Sequence, residues 1–211
     1  RIPRPEISLS IGSPNACTQC HEDKSNAWAY DALQTWGVDS RFQDLNLAKA
    51  RYNADRGDLR ALPTLESLVA DDSQSDLMRA SIIEQLGNLG SRQLPSAAAM
   101  LLRSNSPVLR ASAVRALRSV EPVQRYLMLR PFVKDTNLTV RMEVAQLLAG
   151  IPASELRPQD TADLEPLFEE YLAVQSDHLD MPSVQLQLAN FWIDRGDSAK
   201  ATAALEEALR L

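Results

Sequence analysis

Apolar residues in the middle of the chain recur on a fixed step. Leu86, Leu117 and Leu148 stand 31 residues apart, and Ile83, Val114 and Ala145 keep the same step. Arg79, Arg110 and Arg141 share it, within Met78-Arg79-Ala80-Ser81, Leu109-Arg110-Ala111-Ser112 and Val140-Arg141-Met142-Glu143. Spacings of three and four within each copy fall on one helix face, so the pattern predicts one apolar helical stripe occurring three times. Each copy follows another apolar helix, at 62–70, 94–102 and 126–133. A polar turn lies between the two: Asp71-Asp72-Ser73, Arg103-Ser104-Asn105 or Lys134-Asp135-Thr136. The unit is helix, turn, helix. Ser106-Pro107 offers an N-cap and a first-turn proline, and Asn137 can cap the corresponding helix.

Outside this array the pattern changes. Residues 24–36 predict a short helix with Ala27, Trp28, Ala32 and Trp36 available to one face, ending at Gly37, and 41–55 predict a second. Residues 1–16, with Pro3, Pro5, Gly12 and Pro14, predict an extended lead-in and no helix. After Gly150-Ile151-Pro152 the register shifts: 158–175 form one acidic helix, and 182–211 a helical pair about Gly196-Asp197. The expected fold class is all-α, a helical-repeat solenoid preceded by a short motif-bearing segment. Three parts are expected: 1–56, 57–151 and 152–211.

Composition agrees with helix, because glycine is scarce at 7 residues and aromatics make up 5%, while Ala and Leu abound. No run of about 18 apolar residues is present, so no membrane span is expected, and the first residues lack the apolar stretch of a secretory signal. Opening on Arg1 with a proline-bracketed segment, the chain reads as a piece of something longer. The formal charge is −6, and the last third carries the acidity: residues 151–211 hold 4 basic and 12 acidic groups. Nucleic acid is a poor partner for such a chain, since neutralising phosphates needs a basic stripe. The acidic surface could attract a basic partner or be a solvated helix face.

One motif carries chemistry. Cys17-Thr18-Gln19-Cys20-His21 contains the only two cysteines of the chain and one of its two histidines. In C-x-x-C-H, two thiols on one side of a turn can add to the two vinyl groups of haem while the adjacent imidazole ligates the iron. Cys17 and Cys20 would tether covalent haem c, and His21 would be the metal ligand. Two alternatives stand beside this: a zinc site, for which distant His178 is the main candidate fourth ligand, and a thioredoxin-type redox pair, which lacks a strand-helix-strand setting.

Other candidates have plainer readings. His178 and Met78, Met100, Met128, Met142 and Met181 could each in principle be a second axial ligand, but His178 reads as a loop residue and the methionines as core. Trp28, Trp36 and Trp192 read as core anchors. The arginine series reads as a ladder to turn carboxylates such as Asp72, Asp76 and Asp135, or else as a partner-binding ridge. No base stands near a nucleophile and no phosphate loop is present, so the chain is not expected to be an enzyme.

The repeats resemble the HEAT family, whose second helix often opens with a Val-Arg or similar pair. Leu188, Ala189, Trp192, Gly196, Ala201, Leu205 and Ala208 resemble one tetratricopeptide (TPR) unit in order and spacing, with Gln185 where Trp is usual and Ala189 where Gly is usual. The stretch Asn15 to Ser25, continuing to Trp28 and Trp36-Gly37 and preceded by Ile2-Pro3-Arg4-Pro5, resembles the last haem motif of multihaem c-type cytochromes carrying C-terminal repeats. That resemblance covers most of the chain. It implies export to the bacterial periplasm, further C-x-x-C-H motifs upstream, and either a redox protein or the upstream multihaem domain as partner, with the repeats making protein contacts. The chain departs from that family in having a single motif. A fragment made without the attachment machinery would lack haem.

Overall fold

A computed structural model describes residues 4–37 and 45–211, except the side chain of residue 153. Thirteen α-helices and no strand occur among the described residues. The chain divides into two compact units, Arg1–Gln74 and Ser75–Leu211. The all-helical class is as the patterning predicted.

The first unit contains α1 (Pro5–Ile11), α2 (Ala16–Cys20), α3 (Asn26–Thr35), α4 (Leu45–Ala54) and α5 (Leu62–Ala70). Helix α1 corrects the expectation of an extended lead-in. Pro5 sits in its first turn, where a missing N–H costs nothing, and Gly12 closes it at φ 72° with its N–H bonded to Ser8 O at 2.9 Å. The helix packs on α3 and α4. The predicted helix over 24–36 is α3, trimmed to begin after Ser25. The start of the predicted 41–55 helix lies outside the described residues, and its remainder is α4.

The second unit runs through α6 (Asp76–Asn88), α7 (Leu94–Leu102), α8 (Pro107–Ala116), α9 (Pro122–Leu129), α10 (Leu138–Leu148), α11 (Pro158–Ser176), α12 (Pro182–Asp194) and α13 (Ser198–Arg210). Helices α6, α8 and α10 pack in succession, and α10 packs on α11. The recurring apolar positions form their core: Ile83, Val114, Ala145, Leu86, Leu117 and Leu148 are all buried. Gly87 permits the close approach between α6 and the end of α8, since a Cβ there would stand 2.9 Å from Ala116 O. Helix α9 begins at Pro122, four residues earlier than expected, with the Glu121 carboxylate capping the N–H groups of Val123 and Gln124. Ser106 precedes α8 as expected, but its side chain makes no capping bond. The neighbouring Ser104 Oγ accepts from Ser106 N at 3.1 Å. Asn137 does cap, accepting from Val140 N.

Two members of the arginine series, Arg110 and Arg141, tie their own turns to later elements. Arg110 donates to Ser104 O (2.9 Å) and Asn105 O (3.2 Å) of its own turn, and to both carboxylate oxygens of Asp135 in the next. Arg141 repeats the move, donating to Asp135 O at 2.7 Å and to the Glu170 carboxylate on α11. Arg79 is buried. Burial pulls the Asp135 carboxyl upward, but Arg110 and the Asn137 N–H outweigh it and hold it below the ordinary carboxylate value. In the last segment the core is aromatic: Tyr171 stacks on Phe191 at 4.9 Å, and Phe168 meets Phe191 edge-on at 5.7 Å. The four cations of 151–211 are all ion-paired, Arg157 with Asp160, Arg195 with Glu165, Lys200 with Asp197 and Arg210 with Glu207.

Two outcomes test this packing. Gly87→Ala will destabilise the protein by about 1–3 kcal/mol in urea unfolding, because the obstacle is backbone and cannot swing away. Asp135→Ala will cost about 3 kcal/mol at neutral pH, since it strands Arg110, whose side chain is 11% exposed. Because the folded carboxyl lies below its unfolded value, its contribution is whole above about pH 3.9 and is lost as the pH falls through the folded value. Wild-type and variant unfolding curves will therefore converge in acid.

Candidate functional site

The site is built on a single helical turn. Asn15 is buried, and its Oδ1 accepts from the N–H groups of Cys17 (2.9 Å) and Thr18 (3.2 Å), which starts α2. Its Nδ2 donates to Oδ1 of Asn26, the first residue of α3. One side chain therefore both opens the turn that carries the motif and ties it to the next helix. The turn closes when His21 N donates to Cys17 O at 2.9 Å, and Lys24 N then bonds His21 O at 3.0 Å. Ser25 Oγ caps α3 by accepting from Trp28 N at 3.2 Å.

This geometry leaves the chemistry outward. Cys17 is half-buried, Cys20 and His21 are exposed, and both thiols are free. The motif residues border an open cleft of about 230 Å³ lined by Ala16, Cys17, Cys20, His21, Trp28, Ala29, Ala32 and Trp36. Trp28, Ala32 and the C-cap residue Trp36 lie four residues apart and so line one side of α3 and its end. The alanines keep the space between the indoles clear. The His21 ring lies against Trp28, centroids 5.0 Å apart and tilted by 59°.

The cleft reverses one expectation. Trp28 is 36% exposed and Trp36 72%, so neither is a core anchor. Trp192 is half-buried, with Lys200 over its ring at 4.1 Å. The methionines also depart from the core reading: Met78, Met128 and Met142 are half-buried, and Met100 and Met181 are exposed. His178 lies exposed in the turn between α11 and α12, as expected of a loop residue. It and every methionine belong to the second unit, and the first 74 residues contain no histidine except His21 and no methionine.

The donor set bears on which group the residues fit. Among the described residues, no three His, Cys, Asp or Glu side chains gather as metal ligands. A zinc site requires that convergence. Covalent haem does not, because its sulfurs bond the porphyrin rim and only the imidazole reaches the metal. Two free thiols and an exposed imidazole beside an apolar cleft are the donor types that covalent haem uses. What the sequence missed is the slot itself, although the Trp28, Ala32, Trp36 spacing already put two indoles on one side of a helix next to the motif.

No known family, curated protein or solved structure matches the chain. No helix among the described residues is long and apolar enough to cross a membrane.

The burial difference predicts unequal thiols. A bulky thiol reagent will modify Cys20 faster than Cys17 in the native protein, as read by mass spectrometry of the two labelled species. Asn15→Ala will cost about 1 kcal/mol in unfolding experiments through loss of the cap and will narrow that difference in rate.

Proposed function

We propose that the chain is a haem-binding electron-transfer module of the c-type cytochrome kind, whose helical repeats serve protein contacts. Cys17 and Cys20 would hold the porphyrin by thioether bonds and His21 would ligate the iron. The observation that carries this reading is the cleft: free thiols and an exposed imidazole border a slot walled by two exposed indoles. Exposed indoles beside open apolar space imply a ligand that covers them, since water gains nothing there.

When bound, haem supplies a one-electron iron couple. The chain's own residues provide the rest. Asn15 fixes the turn that carries the two thiols, and Trp28, Ala29, Ala32 and Trp36 supply an apolar wall beside them. The two-helix units over 62–148 support a HEAT-like reading, and α12–α13, with Leu188 and Ala189 in their core, a TPR-like one. In this reading they dock a redox partner or an upstream multihaem domain. The protein works in the bacterial periplasm, where the family it resembles acquires its haem. We propose no catalysis for this chain.

The test is expression with the haem maturation machinery in the periplasm. The expected product carries one haem that survives denaturation, shown by a mass increase and a sharp Soret band. Cys17→Ser and Cys20→Ser will each lose one of the two thioether bonds, and His21→Ala will keep the mass but change the iron's axial ligation. A colourless wild-type product under those conditions overturns the reading, and stoichiometric zinc in that product would assign the residues to a metal site instead.

A further inference from the structure

A ligating histidine generally donates its second ring N–H to a carboxylate or carbonyl, which fixes the plane of the imidazole. His21 shows no such bond among the described residues: its backbone alone is hydrogen-bonded, and its ring lies against that of Trp28. The imidazole is exposed, so without that contact it would be free to rotate about two bonds. Trp28 is itself held, because its position in the first turn of α3 is set by the Ser25 cap. The helix that carries it is tied back to the motif through Asn26 and Asn15.

We infer that Trp28 is the positioning residue for His21, doing by ring contact what a hydrogen-bond acceptor does elsewhere. This rests on the haem reading above and specifies how the axial ligand is oriented. The indole at 5.0 Å and 59° blocks rotation of the imidazole toward α3 while leaving its outward edge free. Trp36, at the other end of the same wall, makes no ring contact with His21. The two indoles therefore have different roles: Trp28 orients, and Trp36 covers.

Two measurements test this, and they separate its failure from that of the haem reading. In haem-free protein the two histidines give two sets of ring resonances, and exposed His178 serves as the internal reference. The expected result is an upfield displacement of the His21 ring protons by the indole ring current, reduced in Trp28→Phe and abolished in Trp28→Leu. In haem-loaded protein, acid competes with the iron for the imidazole. Trp28→Leu will weaken ligation about tenfold, raising by about one unit the pH at which His21 is released as read from the Soret and charge-transfer bands. Trp28→Phe will restore most of the loss, and Trp36→Leu will leave the release point unchanged. Unaltered His21 resonances and an unaltered release point in Trp28→Leu overturn the positioning role while haem attachment stands. A wild-type chain that leaves maturation without haem overturns both, whatever the resonances show.

Discussion

The side chain of Asn15 is the constraint on which the local structure depends. Its carbonyl oxygen satisfies two otherwise unpaired amides at the start of α2, and its amide reaches across to Asn26. A five-residue helix has almost no stability of its own, because nucleation costs more than so few bonds return. The turn bearing Cys17, Cys20 and His21 persists because a buried polar group would otherwise lose its partners, a penalty of about 1–3 kcal/mol. From that fixed turn follow the direction of the thiols, the position of the imidazole against Trp28 and the cleft between the two.

The second unit relies on a different device. Its core repeats the same small set of apolar positions, and its turns are joined by arginines that each bond a carbonyl of their own turn and a carboxylate further along. Each such arginine satisfies backbone groups that helix ends leave bare and fixes the spacing between consecutive hairpins. At Arg110 and Arg141 the ladder is thus structural, and its second rung, Arg141 with Asp135 and Glu170, also borders a cleft of about 390 Å³. In the last segment each of the four cations is paired with a neighbouring carboxylate.

Much of the fold could be read from local pattern. Helices 62–70 and 94–102 lie where periodicity placed them, and the stripe through residues 83, 114 and 145 is buried because helical spacing and apolarity agree there. Pro5 misled because a proline that forbids a helix interior is favourable in a first turn, and residues 1–16 offer too little periodicity to distinguish the two. The tryptophans misled for another reason. Size and apolarity predict burial only when something covers the residue, and on α3 the neighbouring positions are alanines, which leave the indoles open. Phe191, the centre of the aromatic core, went unremarked because its partners Phe168 and Tyr171 stand on another helix. The motif was legible as five consecutive residues. The cleft was not, since it exists only once α2 and α3 are set side by side.

The outward placement of the motif bears on the order of events in the life of the protein. Cys20 and His21 already lie on the surface, and Cys17 at the cleft's edge. A prosthetic group could thus be joined to the finished fold without prising apart any core, and folding need not wait for the join. In the proposed reading, the bare indole wall is a sticky surface until the group arrives. An unloaded copy would therefore be the form most prone to self-association, and quick loading would itself protect against aggregation.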